Sequence, residues 1–236
     1  MLAAGPRVTT SASSKRVCPL RNRGIDPGVL ERMKIKSVTL LILSAASLLR
    51  ITTAQEAVPL EEAQKAARKV NAALPTLTGA PLSIDADLDK PHLVKGGNGG
   101  VMVIPDKKFT DEVLANAGTA ITPVGQLWML KIGIARDGKP IPADELRSVT
   151  ITDNDKERAV QIYLLGVRKG AAGAPELVIF GGDAKPLMLA TLTGESTRSQ
   201  SLPLEIAGRK TGEDTATMDL HLFGRYHTEV SLMRAE

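Results

Sequence analysis

The chain carries three histidines, His92, His221 and His227, and two of them lie close together near the C-terminal end. In Met218-Asp219-Leu220-His221-Leu222-Phe223-Gly224-Arg225-Tyr226-His227-Thr228-Glu229-Val230-Ser231-Leu232 both flanks alternate apolar and polar residues, the period of a strand with one buried face. A hairpin turning through Gly224 to Tyr226 sets Leu220 opposite Val230 and Met218 opposite Leu232 on the apolar side. His221 then opposes Glu229, and Phe223 opposes His227, on the other. With Asp219 two residues along, His221, His227 and Glu229 would offer the donors of a two-His-one-carboxylate metal centre. The turn weighs against it: a three-residue hairpin loop places Gly last, at the left-handed position, and here Gly224 comes first. The alternative is one long strand bent at Gly224. The expectation is a polar, solvated sheet face that holds no catalytic metal, and no cofactor is expected.

Other constellations fail on their own terms. Asp85-Ala86-Asp87-Leu88-Asp89 imitates the start of a calcium loop, but Lys90 stands where the sharp turn needs Gly, and Gly96 where a bidentate Glu is required. A solvated acidic loop is expected there, and Asp153, Asp155 and Glu157 read likewise as a polar turn. Gly96 to Gly100 could present backbone N–H groups to phosphate, yet the run leads into the strand-like Val101-Met102-Val103-Ile104 rather than opening a helix, so a flexible turn is expected. There is no G-x-S-x-G, hence no nucleophile elbow. Trp128 sits in the most apolar stretch, where a core role is expected, and aromatic stacking platforms for sugars are weakly supported.

The elements that must position these residues are legible from periodicity. Leu60, Ala63, Ala67, Val70 and Leu74 recur at helical spacing, with Glu61 and Glu62 at the positive end, Arg68 and Lys69 near the other, and Pro75 as the stop. This predicts a helix over 59–74 whose narrow, Ala-rich face packs on a sheet. A short helix over 110–117 is predicted from Thr110 as N-cap. Between them, 76–100 reads as polar and turn-rich. From there the rhythm is antiparallel β, with strands expected near 101–104, 125–135, 148–152, 159–168, 176–180, 187–192, 202–207, 216–223 and 227–233. Asp137-Gly138 marks a turn, Pro203 a sheet edge, and Leu127 to Ile134, apolar on both faces apart from Lys131, a central strand. The fold class expected is mostly β: an antiparallel, sandwich-like domain with one N-terminal amphipathic helix and one short helix.

The N-terminal part reads differently. Met33-Lys34-Ile35-Lys36 is a short basic region, Val38 to Leu49 is apolar but too short to span a bilayer, and Thr52 and Ala54 supply small residues before Gln55. The organisation expected is a doubtful, disordered upstream segment 1–32, a signal peptide 33–54, a helix and polar loop over 55–100, and an antiparallel β domain over 101–236. The only cysteine, Cys18, precedes Met33, so the mature domain would be cysteine-free.

The formal charge of +4 is concentrated in the same place. Residues 1–54 hold 9 bases and 2 acids, leaving 21 bases and 24 acids, a net charge of −3, for the remainder. That balance offers no electrostatic case for nucleic acid. The sequence therefore predicts an exported, periplasmic or extracellular, non-catalytic binding module. Its partner would be an unknown protein or envelope component, with no membrane span after signal cleavage. The alternatives are a metal-assisted hydrolase using the His221, His227 and Glu229 face, and a small-ligand-binding domain with its pocket between sheet and helix.

Overall fold

The computed structural model describes residues 56–74, 79–96, 99–153, 156–194 and 199–235. The signal peptide expected at 33–54, the upstream segment and Cys18 lie outside the described residues. In chain order the elements begin with β1 (Glu56–Ala57), α1 (Leu60–Ala72), β2 (His92–Gly96), β3 (Gly99–Pro105) and α2 (Asp111–Ala115). Next come β4 (Thr122–Leu130), β5 (Ile132–Arg136), β6 (Lys139–Pro140), β7 (Arg147–Asp153) and β8 (Lys156–Lys169). The chain continues through β9 (Pro175–Phe180), β10 (Pro186–Thr191), β11 (Thr193–Gly194), β12 (Leu204–Lys210), β13 (Thr215–Leu222) and β14 (Tyr226–Arg234).

The strands form two antiparallel sheets packed face to face, so the mostly β, sandwich-like class holds. The larger sheet has the order β1-β2-β3-β4-β8-β9-β10. The length of β8 lets β7 and β9 share its far edge in tandem, β7 along Lys156 to Ile162 and β9 along Leu164 to Lys169. The smaller sheet has the order β12-β13-β14-β5-β6, with β11 also on β14. Its edge strand β12 begins directly after Pro203, the place a residue without an N–H can occupy without breaking a ladder.

One expected strand is divided. The run over 125–135 breaks at Lys131, which takes a positive φ of 58°. β4, before it, pairs with β3 and β8 in the larger sheet, whereas β5, after it, pairs with β14 in the smaller one. Periodicity cannot register such a break, because the residues on both sides are apolar. The chain corners from sheet to sheet without a loop, and Gln161 lies against Gly133 there, its Oε1 2.6 Å from where a Cβ would stand.

The sheets enclose one core, contributed by alternate residues such as Val103, Leu127, Met129, Tyr163, Leu165 and Ile179 facing Leu204, Met218, Leu220, Val230 and Leu232. The other face of the larger sheet is also apolar. Leu93, Met102, Trp128, Val160 and Ile162 point there and meet Ala63, Ala67 and Val70 of α1. This three-layer arrangement explains why β4 is apolar on both faces. Trp128 is buried, as expected, and donates its indole N–H to Gln126 Oε1 at 3.0 Å.

Charge marks the ends of α1, and a side-chain cap the start of α2. Glu61 and Glu62 occupy the first turn of α1 and Lys69 the last. Thr110 caps α2, its hydroxyl oxygen accepting from Val113 N at 3.2 Å. The region expected as polar loop contains β2, which pairs with β3 through His92↔Val103 to Gly96↔Gly99, so the sheet begins before residue 101. The stretch His92-Leu93-Val94-Lys95-Gly96 is too brief to show a strand period between Pro91 and the glycines.

Candidate functional site

The hairpin that carries the histidines turns one residue earlier than expected. Phe223 and Gly224 both take positive φ, 54° and 65°, and Arg225 N donates to Leu222 O at 3.1 Å. Two successive positive φ angles are the pattern of a type I′ turn, whose twist matches that of the strands it joins. The register is therefore His221↔His227, Asp219↔Glu229 and Met218↔Val230. It differs from the expected one by two residues, which keeps the apolar and polar faces apart, since only an odd slip reverses faces, but the polar face is not solvated at His221, which is buried.

His221 and His227 consequently stand side by side, ring centroids 6.0 Å apart and planes 29° from parallel. The row continues to Glu205 on one side and Thr193 on the other. Glu205 Oε1 accepts from Ser201 N at 2.9 Å and from Leu202 N at 3.2 Å, which draws it toward the preceding loop. Asp219 and Glu229 oppose each other one row along, and Arg209 lies 3.6 Å from Glu229. Among the described residues no three His, Cys, Asp or Glu side chains are grouped to hold a metal ion.

The third histidine does structural work. His92 Nδ1, on β2, accepts from Ile206 N on the edge strand β12 at 3.1 Å, joining the two sheets. The acidic loop is likewise tied down. Lys107 Nζ meets Asp85 Oδ1 at 2.9 Å, Lys90 Nζ meets Asp87 Oδ2 at 3.2 Å, and Arg68 meets Asp89 Oδ1 at 3.0 Å. Gln64 Nε2 also donates to Asp89 O at 2.9 Å, so the loop straps α1 onto the sheet. The hydrogen bond that Lys107 donates to Asp85 raises the Lys107 pKa.

Under that strapped helix lies a recess of about 390 Å³. Its floor is a set of cross-strand rows on the helix-facing side of the larger sheet. Leu93, Met102 and Trp128 pair in one, and Lys95, Gly100, Leu130 and Val160 in the next. Gly100 shares the face of Met102 but projects nothing, so a gap opens in an otherwise continuous apolar surface. An added Cβ there would meet only ordinary contacts, the nearest 3.5 Å away at Val94 O. Ala66, Lys69 and Val70 of α1 form the roof, and the side chain of Ile151 on β7 a wall. The small Ala face brings the helix close but cannot fill the space above a glycine.

Three cations, Lys69, Lys95 and Arg158, line this recess, and no Asp, Glu, His, Cys, Ser or Thr among the described residues does so. Lys95 stands 3.9 Å from Glu62, with both side chains about 60% exposed. Such a lining, apolar with a few charged groups, suits a small molecule. Sequence reasoning placed a possible pocket between sheet and helix but not these residues, which come from α1, β2 and β8 and share no motif. The one local signal is Gly100, standing where the alternation of Met102 and Ile104 calls for an apolar side chain. No protein-family model, curated protein or solved structure matches the chain.

Proposed function

We propose that the chain is an exported, non-catalytic binding module that holds a small apolar molecule in the recess between α1 and the larger sheet. The observation that carries this reading is the recess of about 390 Å³ over Gly100, an apolar-floored space between α1 and the larger sheet. Its volume falls in the range of small-molecule sites, roughly 300–1,000 Å³. The lining favours holding over reacting, because its polar side chains are all cations, with no acid–base pair or activated nucleophile among them.

Trp128, the only tryptophan of the chain, reports on the site from within. A titration of the full chain with the neutral fluorescent probe N-phenyl-1-naphthylamine should show energy transfer from Trp128 and saturate at one site. Gly100→Leu should abolish the transfer while leaving the circular dichroism spectrum unchanged. Absence of saturable binding, or binding indifferent to Gly100→Leu in a folded variant, refutes the reading. Export is tested separately by N-terminal sequencing of protein from the exporting host, with Gln55 expected as the first residue.

A further inference from the structure

We infer that β10 is a docking edge for a second copy of this chain, the two strands pairing antiparallel about a two-fold axis at Ala190 so that the larger sheets of both copies join. β10 closes one end of its sheet, and its outer ladder is open. Leu192 N donates to Pro175 O at 2.9 Å, and antiparallel ladders alternate, so Ala190 turns its backbone groups to β9 while Leu189 and Thr191 turn theirs outward. Among the described residues no strand and no backbone donor or acceptor meets them there.

Nothing guards this edge. Edge strands are ordinarily blunted by charge, proline or brevity. β12 follows Pro203 and carries Glu205, Arg209 and Lys210, β7 begins at Arg147 and ends at Asp153, and β1 and β6 have two residues each. β10 is Pro186-Leu187-Met188-Leu189-Ala190-Thr191, with no charge along it and its proline at the start, away from the outward groups. Leu189 is 48% exposed, although large apolar side chains are otherwise buried or half-buried in every described strand.

Symmetry selects the occupant. An axis at Ala190 sets Leu189 opposite Thr191 of the copy, and each such pair exchanges both of its N–H···O bonds, so every outward group of the two residues is used. The axis stands perpendicular to the sheet, which leaves both Leu189 side chains on the helix-facing side, beside Val178 of their own β9 and diagonal to each other, within reach of contact. The strand brings no charge against its own copy, so no like-charge repulsion opposes the pairing. Strands this short make a small interface, and the dimer is a weak, reversible one.

Sedimentation equilibrium of the full chain tests this. The weight-average mass is expected to rise from one chain toward two between about 1 µM and 1 mM, and the amides of Leu189 and Thr191 to exchange with deuterium more slowly at the higher concentration. Leu189→Lys, a change at an exposed position, should hold the mass at one chain across that range. Thr191→Pro, which removes an outward N–H and spares the β9 ladder, should do the same. A native chain that stays a monomer throughout overturns the inference, as does association that survives both substitutions or leaves the two amides exchanging at their dilute rate.

Discussion

The two faces of the eight-stranded sheet are made by the same strands and meet different covers. One is sealed by a second sheet whose alternating Leu, Met and Val residues interdigitate with it, so that Leu127, Leu165 and Ile179 are wholly buried. The other is covered by a 13-residue helix, which buries Ala63, Ala67 and Val70, together with the segment that carries Leu82, Ile84, Ala86 and Leu88. A sheet covers a sheet along its whole width, whereas one helix about 10 Å across covers two or three strands. Between that cover and the sheet the recess remains over Gly100. Sealing confers stability on one face, and the space beside the helix is the feature of the other.

Substitution should separate the two. Leu127→Ala, on the sealed face, is expected to cost about 2–5 kcal/mol in denaturant unfolding, since its neighbours cannot collapse into the cavity. Leu130→Ala, half-buried on the recess face, should cost about 1 kcal/mol or less because the space is already partly open. Equal costs would mean that the helix side is packed as tightly as the inter-sheet core.

The next effect concerns Tyr163, which is 1% exposed within the sealed core. Its hydroxyl donates to Gln161 Oε1 at 2.6 Å and accepts from Ile134 N at 3.3 Å, linking the two sheets. Tyr163→Phe leaves those groups unsatisfied and should cost about 1–3 kcal/mol. Burial pushes the phenol up from 10.0 to about 12, the N–H of Ile134 pulling slightly the other way. The folded state therefore holds this proton more tightly, its contribution is complete below pH 10, and it is lost as pH rises from 10 toward 12. Melting measured across that window should fall in the native chain more steeply than in Tyr163→Phe.

On the recess face, Gly100→Ala should change stability in the opposite sense. The strand conformation suits alanine and the added methyl meets open contacts, so a gain of about 0.4–1 kcal/mol is expected from the less flexible unfolded chain. Probe affinity should drop in the same variant. A loss of stability would show that the gap is smaller than its geometry indicates.

The smallest effect lies outside both faces. Arg136 and Glu145 form a two-pronged pair, 2.8 Å at each prong, and the hydrogen bond from Arg136 lowers the Glu145 pKa below its ordinary 4.5 against opposition from burial. A lowered carboxylate stabilises the fold above the ordinary value and loses that contribution as pH falls through the lowered one. Melting curves of the native chain and Glu145→Gln should differ slightly near neutrality and converge in acid.

How much of this could be read in advance follows the range of the interactions. α1, α2, the Asp137-Gly138 turn and the doubly apolar β4 were all legible, because each depends on neighbours a few residues away. The hairpin faces were legible but not its register, since the turn demands a positive φ at Phe223, a residue that rarely adopts one. β2 was hidden by its brevity. The recess was hidden most completely: Lys69, Lys95 and Arg158 become neighbours only after α1 docks and the rows of β2, β3, β4 and β8 align.

The corner at Lys131 has a consequence for the order in which the molecule can be assembled. β5 pairs locally with β6, yet its other partner is the end of β14, through Ile132↔Arg234 and Ile134↔Leu232. About a hundred residues must be added before that contact can close, and pairings of such separation are slow to nucleate. Until β14 is made, Ile132 and Ile134 lack the ladder they join in the folded chain. Closure of the sandwich thus waits on β14, and loss of the few residues around Arg234 should delay folding far more than their small share of the core would indicate.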